Sequence, residues 1–120
     1  MGKKILLVAD DFDTRYMLSL LLKKEGYEVI TAADGECALS VAADQKPDLI
    51  ITDVSMPRLN GIELTRRIKQ DQKTRGIPVL AVTAYGSMTI QHAIDAGASA
   101  CARKPIEFTT FLPMVQNLLA

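Results

Sequence analysis

Short apolar runs alternate with stretches of helical spacing along this chain, and that alternation leaves it few folds. Ile5 to Val8 is a continuous apolar run of the kind a strand needs when both of its faces are covered. Thr14 to Lys24 places Met17, Leu18, Leu21 and Leu22 at helical spacing, and Gly26 supplies the stop. Tyr27 to Thr31 reads as a second strand, Gly35 to Asp44 as a small-residue helix, and Asp48 to Asp53 as a third strand. A helix begins near Asn60-Gly61 and carries Ile62, Leu64 and Ile68. A fourth strand spans Pro78 to Thr83, a weaker helix Ser87 to Ala96, and a short fifth strand Ala98 to Ala102. Phe108 to Leu119 forms the final helix, with Pro113 as a point of possible kinking. Strand and helix repeated in this way specify an α/β domain, a doubly wound five-stranded parallel sheet with helices on both faces.

Length and composition agree with that reading. The 120 residues fit one domain, 1–120, and 48% hydrophobic residues suffice for a core without disulfides or metal staples. Lys+Arg and Asp+Glu balance at 14 each, which argues against direct nucleic-acid binding. Neither a signal peptide nor a membrane-length apolar run is present, so no membrane role is expected and the expected location is cytoplasmic. Cys37 and Cys101 lack metal-type spacing, and Cys37 reads as a small core residue.

In open parallel sheets, function gathers at the carboxyl ends of the strands, near the point where strand order reverses. Here those ends carry Asp10-Asp11, Asp53, Thr83-Ala84 and Lys104-Pro105. Carboxylates brought close together repel and require a cation to stay ionised. An all-oxygen set of high charge suits Mg²⁺, which keeps several waters. A lysine contributes a point charge toward phosphoryl oxygens, and a threonine hydroxyl a donor. The set therefore holds the parts that phosphoryl transfer to an aspartate requires. No glycine-rich phosphate loop follows the first strand, and the single histidine, His92, reads as a surface residue of the fourth helix, so nucleotide binding and Ser/His/Asp chemistry find no support.

Val8-Ala9-Asp10-Asp11, Thr52-Asp53-Val54-Ser55-Met56-Pro57 with Gly61 downstream, Val82-Thr83-Ala84 and Lys104-Pro105 stand in order over essentially the whole chain. Together they resemble the receiver domain of two-component response regulators, the CheY-like family. The resemblance implies a flavodoxin-like strand order of 2-1-3-4-5 and Asp53 as phosphoacceptor. It also implies Mg²⁺ held by Asp10, Asp53 and the main-chain carbonyl of Ser55. Thr83 would be the switch hydroxyl with Ala84 beside it, Lys104 the phosphoryl-binding lysine, and Lys104-Pro105 a cis bond. The donor would be a phosphohistidine on a sensor histidine kinase or histidine phosphotransfer protein. The output protein is unnamed by the sequence, and its docking face would be the fourth helix, fifth strand and fifth helix. The domain would load and lose its own phosphoryl group without being a turnover enzyme. Ser55 and Tyr85 would flank the pocket, where tuning of hydrolytic water and plain structural filler are both open.

Two positions depart from the family pattern. With Arg15 aligned, Ala9 takes the first place of the usual acidic pair, which implies weaker Mg²⁺ binding unless Asp11 leans in to support the metal. Cys101 stands where the family has an inward-turning Tyr or Phe. These departures are the support for an alternative, a degenerate receiver that docks partners without phosphorylation. An aspartyl phosphatase of the haloacid dehalogenase type is disfavoured, because it would place an acid two residues beyond Asp10, where Phe12 stands.

Overall fold

The structure, a computed structural model, describes residues 2–120. Five parallel strands, β1 (Lys4–Val8), β2 (Glu28–Ala32), β3 (Leu49–Asp53), β4 (Val79–Thr83) and β5 (Ala100–Arg103), lie in the order β2-β1-β3-β4-β5. Between and after them run α1 (Phe12–Lys24), α2 (Gly35–Gln45), α3 (Gly61–Gln70), α4 (Ser87–Asp95) and α5 (Phe108–Leu119). The doubly wound architecture and its strand order are those the sequence predicts. The chain winds outward from β1 in both directions, so strand order reverses between β1 and β3.

Alternation along the central strands sorts the core into two layers. Ile5, Leu7, Leu49, Ile51, Leu80 and Val82 pack against Leu18 and Leu22 of α1 and Phe111, Val115 and Leu119 of α5. Leu6, Val8, Ile50 and Val79 face Ala38 and Ala42 of α2 and Leu64 and Ile68 of α3. The small alanines let α2 lie close to the sheet. A third, smaller cluster joins Val54 and Ala81 to Ala93 of α4 and to Ala98.

The boundaries shift from the sequence reading where a cap decides them. α1 opens at Phe12, two residues before Thr14, because the Asp11 carboxylate accepts from Thr14 N–H and caps the helix. The second and fifth strands both run one residue further than the sequence predicts, to Ala32 and Arg103, and start later. Met17 points to solvent at 51% exposure, and the buried face of α1 is Leu18, Ser19 and Leu22. Cys37 is exposed in the first turn of α2, contrary to its expected place in the core, because Ala38 and Ala42 supply that helix's inward face. Pro113 lies inside α5, and the Lys104–Pro105 bond is cis.

Candidate functional site

Asp53 is the last residue of β3, in a strand buried along its whole length, and is itself only 6% exposed. Val54 N–H donates to Val82 O, which carries the pairing with β4 one step past Asp53. The chain then turns back: Gly61 N–H donates to Val54 O at 2.8 Å, and a Cβ at Gly61 would collide with the Asp53 carbonyl oxygen. Gly61 is thus required for close approach of α3 to the Asp53 backbone.

Lys104 reaches this carboxylate from the end of β5. Its main-chain N–H donates to Thr83 O at 2.8 Å, an extension of the β4–β5 ladder. Its Nζ donates to Asp53 Oδ2 at 3.0 Å and lies 2.8 Å from Oδ1. Only the first contact has hydrogen-bond geometry, so Oδ1 is buried with no hydrogen-bond partner among the described residues. Burial pushes the Asp53 carboxyl above the usual aspartate range. The Lys104 hydrogen bond and charge oppose that shift, and the negative charges of Asp10 and Asp11 add to it.

The two acidic neighbours differ in what holds them. Asp10 is exposed at the end of β1, and no side chain among the described residues donates to its carboxylate. Asp11 Oδ2 accepts from Thr14 N–H at 2.9 Å and Thr14 Oγ1 at 2.6 Å, and these hydrogen bonds hold its carboxyl below the usual range. Its side chain is thereby committed to the α1 cap. Ala9 is 3% exposed and offers only a methyl group. Among the described residues no three His, Cys, Asp or Glu side chains gather as a metal cluster. Two carboxylates, one of them with a buried oxygen that accepts no hydrogen bond from the described residues, and no soft ligand suit a hard cation that retains water rather than a full protein cage.

Thr83 is 1% exposed, and its Oγ1 accepts from Tyr85 N–H at 2.9 Å. Ala84 and Tyr85 follow in the exposed β4–α4 loop, and Ser55 is exposed just past β3. Cys101 is half-buried against the α4 cluster, and burial pushes its thiol up. The sequence reading used Arg15 only as an alignment landmark. In the structure its Nη1 donates to Ala9 O and Asp10 O, at 2.8 and 3.2 Å.

Known proteins resemble this chain in sequence and in fold. The family model described as the response regulator receiver domain matches residues 5–116. The chain belongs to that family. It is 33% identical over 120 residues to the polar-differentiation response regulator DivK of Brucella anthropi, covering 99% of this chain and 98% of the relative. The chemotaxis protein CheY4 of Vibrio cholerae superposes with a TM-score of 0.93 at 35% identity, covering 99% of this chain and all of that one. The receiver domain of sensor histidine kinase PA1611 from Pseudomonas aeruginosa, described with a magnesium ion coordinated in its active-site cleft, gives 0.91 at 29% identity, covering 99% and 98%. The chain is a receiver domain of two-component signalling. None of its described helices is long and apolar enough to cross a membrane.

Proposed function

We propose that the receiver unit spans residues 1–120 and takes a phosphoryl group onto Asp53 from a phosphohistidine of a sensor histidine kinase or histidine phosphotransfer protein. The observation that carries this reading is the Asp53 carboxylate itself: buried, raised in pKa, and held by one ammonium that lies within 3.0 Å of both oxygens but hydrogen-bonds only Oδ2. A carboxylate oxygen attacks phosphorus, an acyl phosphate P–O bond forms, and the P–N bond breaks. Its electron pair stays on the departing imidazole, which takes up a proton where needed to leave neutral. Lys104, already at the carboxylate, bears on the phosphoryl oxygens as charge accumulates there. Thr83 Oγ1, engaged by Tyr85 N–H before phosphorylation, is the hydroxyl that turns to the new group, with Ala84 at the edge of the site.

The residues present fit Mg²⁺: Asp10, Asp53 and the Ser55 carbonyl would hold it, and it would supply positive charge against the phosphoryl oxygens. Asp11, tied to Thr14, stays with the helix cap, so the metal site has two carboxylates and binds Mg²⁺ weakly. The domain acts as a cytoplasmic switch for a protein partner through α4, β5 and α5, without turnover of an external substrate. Neither nucleic acid nor membrane is its direct target.

A second reading, a docking module that is never phosphorylated, rests on Ala9 and on Cys101, which is too small to swing between surface and interior. Intact mass after treatment with phosphoramidate and Mg²⁺ separates the two. A single phosphoryl adduct on the parent, absent from Asp53→Asn, supports the acceptor reading; no adduct on the parent supports the docking module.

A further inference from the structure

The β1–α1 loop carries Asp10, a proposed metal ligand whose side chain no described residue holds. Asp10 is exposed and its carboxylate has no donor among the described residues, while the Asp11 carboxylate is engaged in the helix cap. A second carboxylate at position 9, which would share the cation, is replaced by a methyl group. What fixes Asp10 is therefore its backbone, and the backbone is gripped by one side chain. Arg15, one turn into α1, returns to the loop and donates through Nη1 to the carbonyls of Ala9 and Asp10. These two carbonyls flank the Cα of Asp10, so the pair of bonds sets the direction in which its side chain leaves the chain.

The guanidinium is itself supported. Its carbon lies 5.7 Å from the centroid of the Phe12 ring, and Phe12 stacks on Tyr16 at 6.0 Å with the ring planes 12° apart. Phe12 and Tyr16 are 65% and 59% exposed and belong to none of the core clusters, so any purpose their rings serve lies at the surface. A platform under an arginine is such a purpose, since cation–π contact and stacking narrow the rotamers of a long side chain.

We propose that Arg15, carried on the Phe12–Tyr16 stack, is a positioning residue that aims Asp10 at the metal. The inference rests on the acceptor reading above, and it assigns Arg15 no contact with metal or phosphoryl. A positioning residue changes how tightly the metal is held and leaves the chemistry at saturating metal intact.

The test is Mg²⁺ titration by calorimetry on the parent, Arg15→Met, Arg15→Lys and Phe12→Ala, beside labelling rates by phosphoramidate at saturating Mg²⁺. Arg15→Met should weaken Mg²⁺ about tenfold, the lower end for loss of a group that orients a ligand. Arg15→Lys should recover part of it, because one ammonium carries three donors on a single nitrogen, as Nη1 alone serves both carbonyls. Phe12→Ala should cost about twofold. Saturated labelling rates should stay within about twofold of the parent, and the amide ¹⁵N shifts of Asp10 and Asp11 should move in metal-free Arg15→Met. Unchanged Mg²⁺ affinity in Arg15→Met overturns the proposal, as does an equal loss of saturated rate in Arg15→Met and Arg15→Lys. A parent that neither binds Mg²⁺ nor takes label overturns the acceptor reading, and this inference with it.

Discussion

α3 follows β3, the strand that ends in Asp53, and α4 follows its neighbour β4, yet the two helices are held very differently. Asn60 Oδ1 accepts from Glu63 N–H and caps α3, which buries Gly61, Leu64, Thr65 and Ile68. Thr65 Oγ1 donates to Gly61 O, and Thr74 Oγ1 donates to Ile68 O past the helix end. Lys69 Nζ then donates to Ile77 O and Arg75 O, tying the helix to the approach of β4. α4 has Gly86 at its N-cap with no side-chain bond and buries only Ala93. Tyr85, Met88 and Ile94 stand exposed on or beside it. One side of the acceptor is a fixed wall and the other a loosely seated helix, so a new charge at Asp53 finds one element free to respond.

The largest expected effect would sharpen this contrast. Leu64→Ala empties a fully buried site and should cost about 2–5 kcal/mol, read as a shift of the urea midpoint. Ile94→Ala, at a position 40% exposed, should stay within about 0.5 kcal/mol. Equal losses at the two positions would erase the distinction between wall and movable helix.

At the point where the two halves meet, Asp53→Asn should raise stability at neutral pH. The folded protein holds this carboxyl above its ordinary value, so the ionised form opposes folding once the unfolded chain has lost its proton. The gain in Asp53→Asn should be full above the raised folded-state value. It should shrink as pH falls through it and vanish below the ordinary value of about 3.8. Thermal midpoints across an acid series check this. Asp11 has the opposite sign: its contribution is present above its ordinary value and fades as pH falls through its lowered one.

Phosphorylation itself should move the loop from Ala84 to Met88 while residue 101 changes little, since Cys101 has no ring to turn inward. Amide shifts of free and beryllofluoride-treated protein measure this, and dominant shifts in α3 would reverse the assignment of wall and movable helix. The smallest effect is expected from Gly86→Ser. Nothing lies within 4 Å of a Cβ there, so the new hydroxyl is free to cap α4 for a few tenths of a kcal/mol and damp the loop's response.

The same contrast marks what the sequence shows and what it hides. The strands and the rim positions of Asp10, Asp53, Thr83 and Lys104 follow from alternation, turn residues and motif order, all of which are local or ordered along the chain, whereas the strand order comes only with the family resemblance. The boundary of α1 was also written locally, in the three-residue spacing from Asp11 to Thr14, a cap signature easily passed over beside an acidic pair. The grip of Arg15 on two carbonyls has no signature, because any exposed arginine reads the same until the helix turns it back onto the loop. The Arg58–Asp34 ion pair, 3.1 Å across 24 positions, was equally hidden. Arg58 has a positive φ of 65°, which no sequence rule assigns to an arginine.

The central claim, that Asp53 carries the phosphoryl group, is tested most directly by mapping it. The parent protein is labelled with phosphoramidate and Mg²⁺, the acyl phosphate is reduced with borohydride, and the peptides are read by mass spectrometry. An aspartyl phosphate is reduced to homoserine, and the account predicts that product at position 53 alone. Homoserine at position 10 or 11, or an unmodified position 53 in protein that has taken label, would contradict it.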